Sequence, residues 1–112
     1  MQFTLTNVPQ SSLTLLVQAQ GSRTGNLRFG DGLLCLDGRL VRMWTRTATN
    51  GSVLLPDAGD PSVLTRSAAR GDPVYPGDVR YYQAHYRDVS PTFCPAPSGG
   101  TFNTSNGVRV VW

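Results

Sequence analysis

The sequence predicts an all-β fold, an antiparallel β-sandwich of immunoglobulin-like or jelly-roll type with about eight strands. Three observations carry that prediction. The first is compositional: the 10 basic side chains are all Arg, the 7 acidic ones are all Asp, and Lys, Glu and Ile are missing altogether. Lys and Glu favour helices, and without them the chain is dominated by Thr, Val and Ser, which suit strands, and by turn formers. The second is punctuation, because 12 Gly and 8 Pro interrupt the chain at short intervals. The third is the stretch from Asp78 to Asp88, which alternates as one long strand does. Arg80, Tyr82, Ala84 and Tyr86 fall on one face, and Val79, Tyr81, Gln83, His85 and Arg87 on the other. At 112 residues the chain forms one domain, residues 1–112, large enough to bury a core.

The elements follow in order. Phe3 to Thr6 forms a short strand that Asn7-Val-Pro9 ends, since Pro cannot donate to a ladder. Ser12 to Gln20 is apolar on both faces at its centre, as a strand covered on both sides should be. Gly21 to Gly25 is a loop, and Phe29-Gly-Asp-Gly32 is a tight turn. Leu33 to Leu36 is a strand carrying Cys35, and Asp37-Gly38 is read as a type I′ hairpin turn. The returning strand, Arg39 to Thr47, places Val41, Met43 and Thr45 on one face and Leu40, Arg42, Trp44 and Arg46 on the other.

Asn50-Gly51 is a second hairpin turn, leading to Val53-Leu-Leu55, and residues 56–61 form a loop rich in breakers. Ser62 to Arg66 reads as a short strand. Pro76-Gly77 has type II turn chemistry and introduces the long Tyr strand. Val89 to Gly100 holds Pro91, Pro95 and Pro97, which excludes a helix or an inner strand. Val108 to Trp112 alternates again as a last strand.

The net charge of +3 is spread over dispersed Arg residues. A nucleic-acid binder concentrates its basic residues in a run or stripe with interleaved aromatics, so no nucleic-acid partner is expected. No apolar run approaches the ~20 residues of a membrane helix, and membrane insertion is not expected either. The first residues carry no signal-peptide pattern. Cys35 and Cys94 are compatible with a disulfide, which would close a long loop and stabilise by about 4 kcal/mol, or with two independent buried thiols.

Candidate chemistry is sparse. His85 is the lone histidine, with no acid on its own strand face, so a small hydrolase lacks a nucleophile and base pair and no enzyme or cofactor is expected. Each Asp sits beside Gly, Pro or a strand end, where it caps its own backbone. Asp31, or Asp57 with Asp60, make a weak calcium alternative without the D-x-D-x-D-G pattern. Arg70-Gly-Asp72 is explained by a turn. Asn50-Gly-Ser52 and Asn103-Thr-Ser105 match the N-glycosylation acceptor pattern, as simple turns also do.

Aromatic, amide and Arg side chains offer the best chemistry. Sugar rings stack their C–H faces on aromatic rings while amides and guanidinium groups bind the hydroxyls. Tyr81, Gln83, His85 and Arg87 on one strand face, with Trp44, Arg42 and Arg46 on a neighbour, provide that combination. The competing expectation is that Tyr82, Tyr86 and Trp44 fill the core.

Phe29-Gly-Asp-Gly-Leu-Leu-Cys35, Leu40-Val-Arg42, Gly59-Asp-Pro-Ser62, Tyr82-Gln-Ala-His-Tyr-Arg-Asp88, Phe93-Cys94 and Thr101-Phe-Asn-Thr-Ser-Asn-Gly-Val108 together resemble a domain near the C-termini of large secreted proteins of planctomycetes and myxobacteria. The similarity covers nearly all of the chain beyond Gly25, in the same order. It implies an extracellular module attached to larger secreted proteins, with Cys35 and Cys94 joined as a disulfide. That domain usually has an aromatic where His85 stands, which argues against an essential histidine, and the resemblance implies no activity.

The expectation is therefore a secreted, non-catalytic accessory module that binds or adheres to polysaccharide or the cell surface through an aromatic and Arg-lined sheet face. The alternative is a structural subunit that self-associates through its edge strands, Phe3 to Thr6 or Val108 to Trp112.

Overall fold

The computed structural model describes residues 1–25, 27–88 and 102–112. Its centre is a five-stranded antiparallel sheet built on β2 (Leu13–Ser22), which lies between β5 (Leu36–Thr47) and β7 (Val79–Arg87). The far edge of β7 pairs with β9 (Val108–Val111) and then with β8 (Phe102–Thr104). A small ribbon of β1 (Phe3–Leu5) and β6 (Val53–Leu55) and one short helix, α1 (Val63–Ala69), cover one face. The hairpin of β3 (Arg28–Phe29) and β4 (Gly32–Leu33) packs against the other. The antiparallel, largely β architecture is the predicted one.

The larger core lies under the ribbon and helix. There Leu16, Val41, Met43, Trp44, Tyr82 and Val110 from the sheet meet Val53, Leu55 and Val63. On the opposite face Val17 and Ala19 pack with Leu34 and Leu36. β2 is buried on both sides, which explains its continuous apolar centre.

Two expectations about β5 are corrected. Asp37-Gly38 does not turn the chain. β5 runs straight through it, and the register moves from Ala19 opposite Leu40 to Gly21 opposite Asp37, so Gly38 and Arg39 together oppose Gln20. This is a bulge whose extra residue needs a left-handed backbone, and Gly38 supplies it at φ 79°. The hairpin turn and the bulge want the same dipeptide for the same reason. A second shift, from Leu16 opposite Trp44 to Val17 opposite Arg42, leaves Met43 as the extra residue. Side chains change face there: Trp44 joins Val41 and Met43 in the core, while Arg42 and Thr45 stay exposed on the hairpin side.

The Ser62 to Arg66 segment is also corrected, from strand to the start of α1. Ser62 caps the helix by accepting the Thr65 N–H at 3.1 Å, and Val63 and Ser67, one turn apart, form its buried face. The helix ends at a glycine cap: the Gly71 N–H reaches the Ala68 carbonyl and the Asp72 N–H the Ser67 carbonyl, with Gly71 at φ 83°. Asn50-Gly51 and Pro76-Gly77 turn where expected, with Asn50, Gly51 and Gly77 at positive φ. β8 was not anticipated. The Val89 to Gly100 segment and Cys94 lie outside the described residues. Cys35 forms no disulfide among those described.

Candidate functional site

The sheet face carrying Tyr81, Gln83, His85 and Arg87 is divided by the β3–β4 hairpin, and how the hairpin is fastened decides which of these side chains remain open. Gln83 is the fastener. Its amide nitrogen donates to the carbonyls of Leu33 and Ser105, both at 2.8 Å, and its Oε1 accepts the Cys35 N–H at 3.0 Å. With 1 % of its surface exposed, it holds structure together and is closed to a ligand. The Cys35 thiol stands 3.5 Å from the same amide nitrogen.

The turn Phe29-Gly-Asp-Gly32 completes the closure. The Asp31 N–H donates to the Phe102 carbonyl at 3.0 Å, and the Thr104 hydroxyl to the Leu33 carbonyl at 3.0 Å. Any Cβ at Gly30 would collide with the Phe102 carbonyl and ring, and one at Gly32 with Thr104 and Asn103. Both glycines are therefore demanded by the close approach of the turn to β8. Gly107 is also in close contact, since a Cβ there would lie 2.9 Å from the Cys35 Cβ.

Beyond the hairpin an open groove of about 630 Å³ remains. Its floor is a cross-strand row, Thr45, Leu15 and His85, neighbours across β5, β2 and β7. Phe29 and Phe102 form an aromatic wall, edge to face at 5.0 Å, and Arg42 and Arg87 also line it. The Phe29 ring packs against His85, tilted by 50° with ring centres 5.0 Å apart. Thus His85, Arg87 and Arg42 come together as the alternation suggested.

The other expected residues do not. Tyr81 packs against the Val17, Ala19, Leu34 and Leu36 cluster and borders a separate cleft with Arg23, Cys35 and Arg109. Trp44 is 5 % exposed and lies in the core because of the bulge at Met43. The same bulge turns Arg46 away, to an ion pair with Asp60 at 2.6 Å. Phe29 and Phe102 were missed as site residues. Their signal was their position in the two segments, Phe29 to Cys35 and Phe102 to Val108, that fold onto each other.

The calcium alternative finds no support in the geometry. Asp57 and Asp60 share a turn, where the Asp57 N–H donates to Asp60 at 2.9 Å, but Asp31 belongs to the distant β3–β4 turn. The Asp60 carboxyl is held below its usual range by the hydrogen bond from the Asp57 backbone and then by Arg46. Among the described residues no three His, Cys or Asp side chains converge. Asn50 stands on an exposed turn, and Asn103 accepts the neighbouring Thr104 N–H at 2.8 Å.

His85 lies under Phe29, and its Nε2 has no hydrogen-bond partner among the described residues. Burial lowers its pKa below the ordinary 6.5. In the window between the folded value and 6.5 the unfolded chain binds more protons, so stability rises with pH there. His85 therefore favours the folded state fully above 6.5, and that contribution is lost as the pH falls toward the folded value. Replacing His85 by Phe is expected to flatten the stability profile in this window, read by urea denaturation at a series of pH values. An unchanged profile would exclude His85 as its source.

No protein-family model, curated protein or solved structure matches this chain.

Proposed function

We propose that the protein is a non-catalytic extracellular module that holds a larger protein to polysaccharide or to a cell-surface glycan, and that the groove beside the β3–β4 hairpin is its binding site. The observation that carries this reading is the pairing of an aromatic wall, Phe29 and Phe102, with Arg42 and Arg87 in an open groove. Aromatic rings suit the apolar faces of sugar rings, and guanidinium groups suit their hydroxyl and acidic substituents. His85 is part of the floor of the groove in this reading, with no orienting acid or nucleophile bonded to it among the described residues. The scaffold is sandwich-like, with the small β1–β6 ribbon and α1 in the place of a full second sheet. The resemblance to secreted C-terminal domains supports the extracellular assignment and the pairing of Cys35 with Cys94.

The test is retention of the purified protein on a panel of insoluble polysaccharides and cell-wall preparations. One polymer should retain it, competed by its soluble fragments. Arg42→Ala and Phe102→Ala should each weaken retention about tenfold, the loss of one good contact, without changing the circular dichroism spectrum. Full retention by both variants would remove the groove from the reading.

Self-association remains the second reading because β1 pairs only with β6 and β9 only with β7, which leaves each with an open edge among the described residues. It requires concentration-dependent assemblies in light scattering. A monomer at every concentration would dismiss it.

A further inference from the structure

We propose that the glycan is acidic, and that its carboxylate or sulfate groups are held by Arg42, Arg66 and Arg70 in a second cleft at the outer edge of β5. This inference rests on the glycan reading above and names the ligand class. The cleft, about 270 Å³, is bounded by these three guanidinium-bearing residues and by β5 from Met43 to Thr45, with no acidic residue in its lining among the described residues.

What marks this edge is that three Arg residues line one cleft there while the acids of the fold are engaged elsewhere. Asp37 pairs with Arg23, Asp60 with Arg46, and Asp72 and Asp78 with Arg80. By contrast, the Arg42 and Arg70 guanidinium groups have no hydrogen bond or ion pair among the described residues. Three like charges at one cleft repel one another, and a bound anion relieves that repulsion.

The cleft is also partly preorganised. Arg66 donates from Nε to the Met43 carbonyl at 2.6 Å, and its guanidinium lies 6.0 Å from the centre of the Trp44 ring, while its two terminal amino groups make no hydrogen bond among the described residues. Arg70 is the C-cap residue that follows α1, next to the Gly71 that ends the helix. Arg39 secures that cap by donating to the Arg70 and Gly71 carbonyls, each at 3.2 Å. The planar, two-pronged guanidinium matches the paired oxygens of a carboxylate or sulfate.

The link to the groove is Arg42, which lines both. A chain lying along the groove with its sugar faces on Phe29 and Phe102 would therefore carry its acidic groups past Arg42 toward Arg66 and Arg70. A neutral polysaccharide would leave Arg42 and Arg70 without a counter-charge among the described residues, while Arg66 has Asp60 within electrostatic reach.

Affinity electrophoresis of the whole protein tests this with four soluble probes: polygalacturonate, dextran sulfate, neutral dextran and single-stranded DNA. Retardation by polygalacturonate or dextran sulfate is expected, the stronger of the two identifying the acidic group, with none by dextran. Raising the salt from about 0.1 M to about 1 M, which shortens the Debye length from ~10 Å to ~3 Å, should abolish it. Arg70→Gln at the edge cleft should weaken binding about tenfold, and Arg66→Lys, which keeps the charge but loses the two-pronged donor and the bond to the Met43 carbonyl, should weaken it less than that.

Binding of neutral and acidic glycans alike, with Arg70→Gln unaffected, would overturn the acidic ligand and leave the groove reading standing. Failure of every polysaccharide, in solution and on the insoluble panel, would overturn both. DNA binding as tight as that of the acidic polysaccharides would overturn the assignment to glycans in favour of a general polyanion surface.

Discussion

Replacing Asp72 by Asn is expected to cost about 3–5 kcal/mol, the penalty for leaving one member of a buried ion pair alone. Asp72 and Arg80 are only 3 % and 8 % exposed. The carboxylate accepts from Arg80 Nε at 3.0 Å and Nη2 at 2.9 Å, from Gln18 at 2.7 Å and from Gln20 at 2.9 Å. Gln18 in turn donates to Ser67 at 2.7 Å and accepts the Tyr82 hydroxyl at 2.8 Å, and the Ser67 hydroxyl closes the circuit on the Asp72 carbonyl. This network ties α1 and the segment after it to β2 and β7. Without the carboxylate, Arg80 keeps only Asp78, at 3.8 Å, as a counter-charge among the described residues.

The same network sets an acid limit. Burial alone would push the Asp72 carboxyl up, but the hydrogen bonds from Arg80, Gln20 and Gln18 outweigh it and hold the group below the ordinary 3.8. Its folded value is depressed, so its contribution is complete above 3.8 and is lost as the pH falls through the folded value. Urea denaturation of Asp72→Asn, Arg80→Met and the double variant Asp72→Leu/Arg80→Met measures the pair. Each single change should be severe, and the double variant, which leaves no lone charge, should recover part of the loss. An Asp72→Asn protein within about 1 kcal/mol of the parent would show that the pair is solvated. The burial of Asp72 also disposes of an adhesive role for Arg70-Gly-Asp72, whose glycine is the helix cap and whose acid faces inward.

Gln83→Leu is the second change expected to be large. It strands the Cys35 N–H and removes a donor from the Leu33 and Ser105 carbonyls, and each group left unsatisfied costs about 1–3 kcal/mol. The loss should fall on the β3–β4 hairpin ahead of the central sheet. Amide hydrogen exchange should therefore accelerate over residues 32–36 while β2 stays protected, and glycan retention should fall with it because Phe29 leaves the groove wall. Unchanged protection over residues 32–36 would contradict the assignment of Gln83 as the fastener.

The amino-acid sequence by itself determined the antiparallel β class, the alternation of β7, the two-sided burial of β2, and the turns at Asn50-Gly51 and Pro76-Gly77. These depend on the side-chain period of a strand and on which residues tolerate positive φ, and both are local. It also brought His85, Arg87 and Arg42 into consideration as a set.

Only the tertiary structure decided the rest. A left-handed Asp-Gly serves a hairpin or a bulge equally well, and the partner strand chose the bulge at Gly38. The extra residue at Met43 has no signature of its own, yet it reversed the faces of Trp44 and Arg46. The seven-residue helix α1 is too short to show a periodic stripe, and its N-cap and glycine cap are meaningful only once Val63 and Ser67 have a core to enter. Gln83 and Tyr81 alternate correctly on their strand, but whether that face meets solvent or protein depends on a hairpin from the first third of the chain and a strand from its end. Alternation assigns a side chain to a face; what covers the face is a long-range packing event, and it alone separated the fastener from the groove.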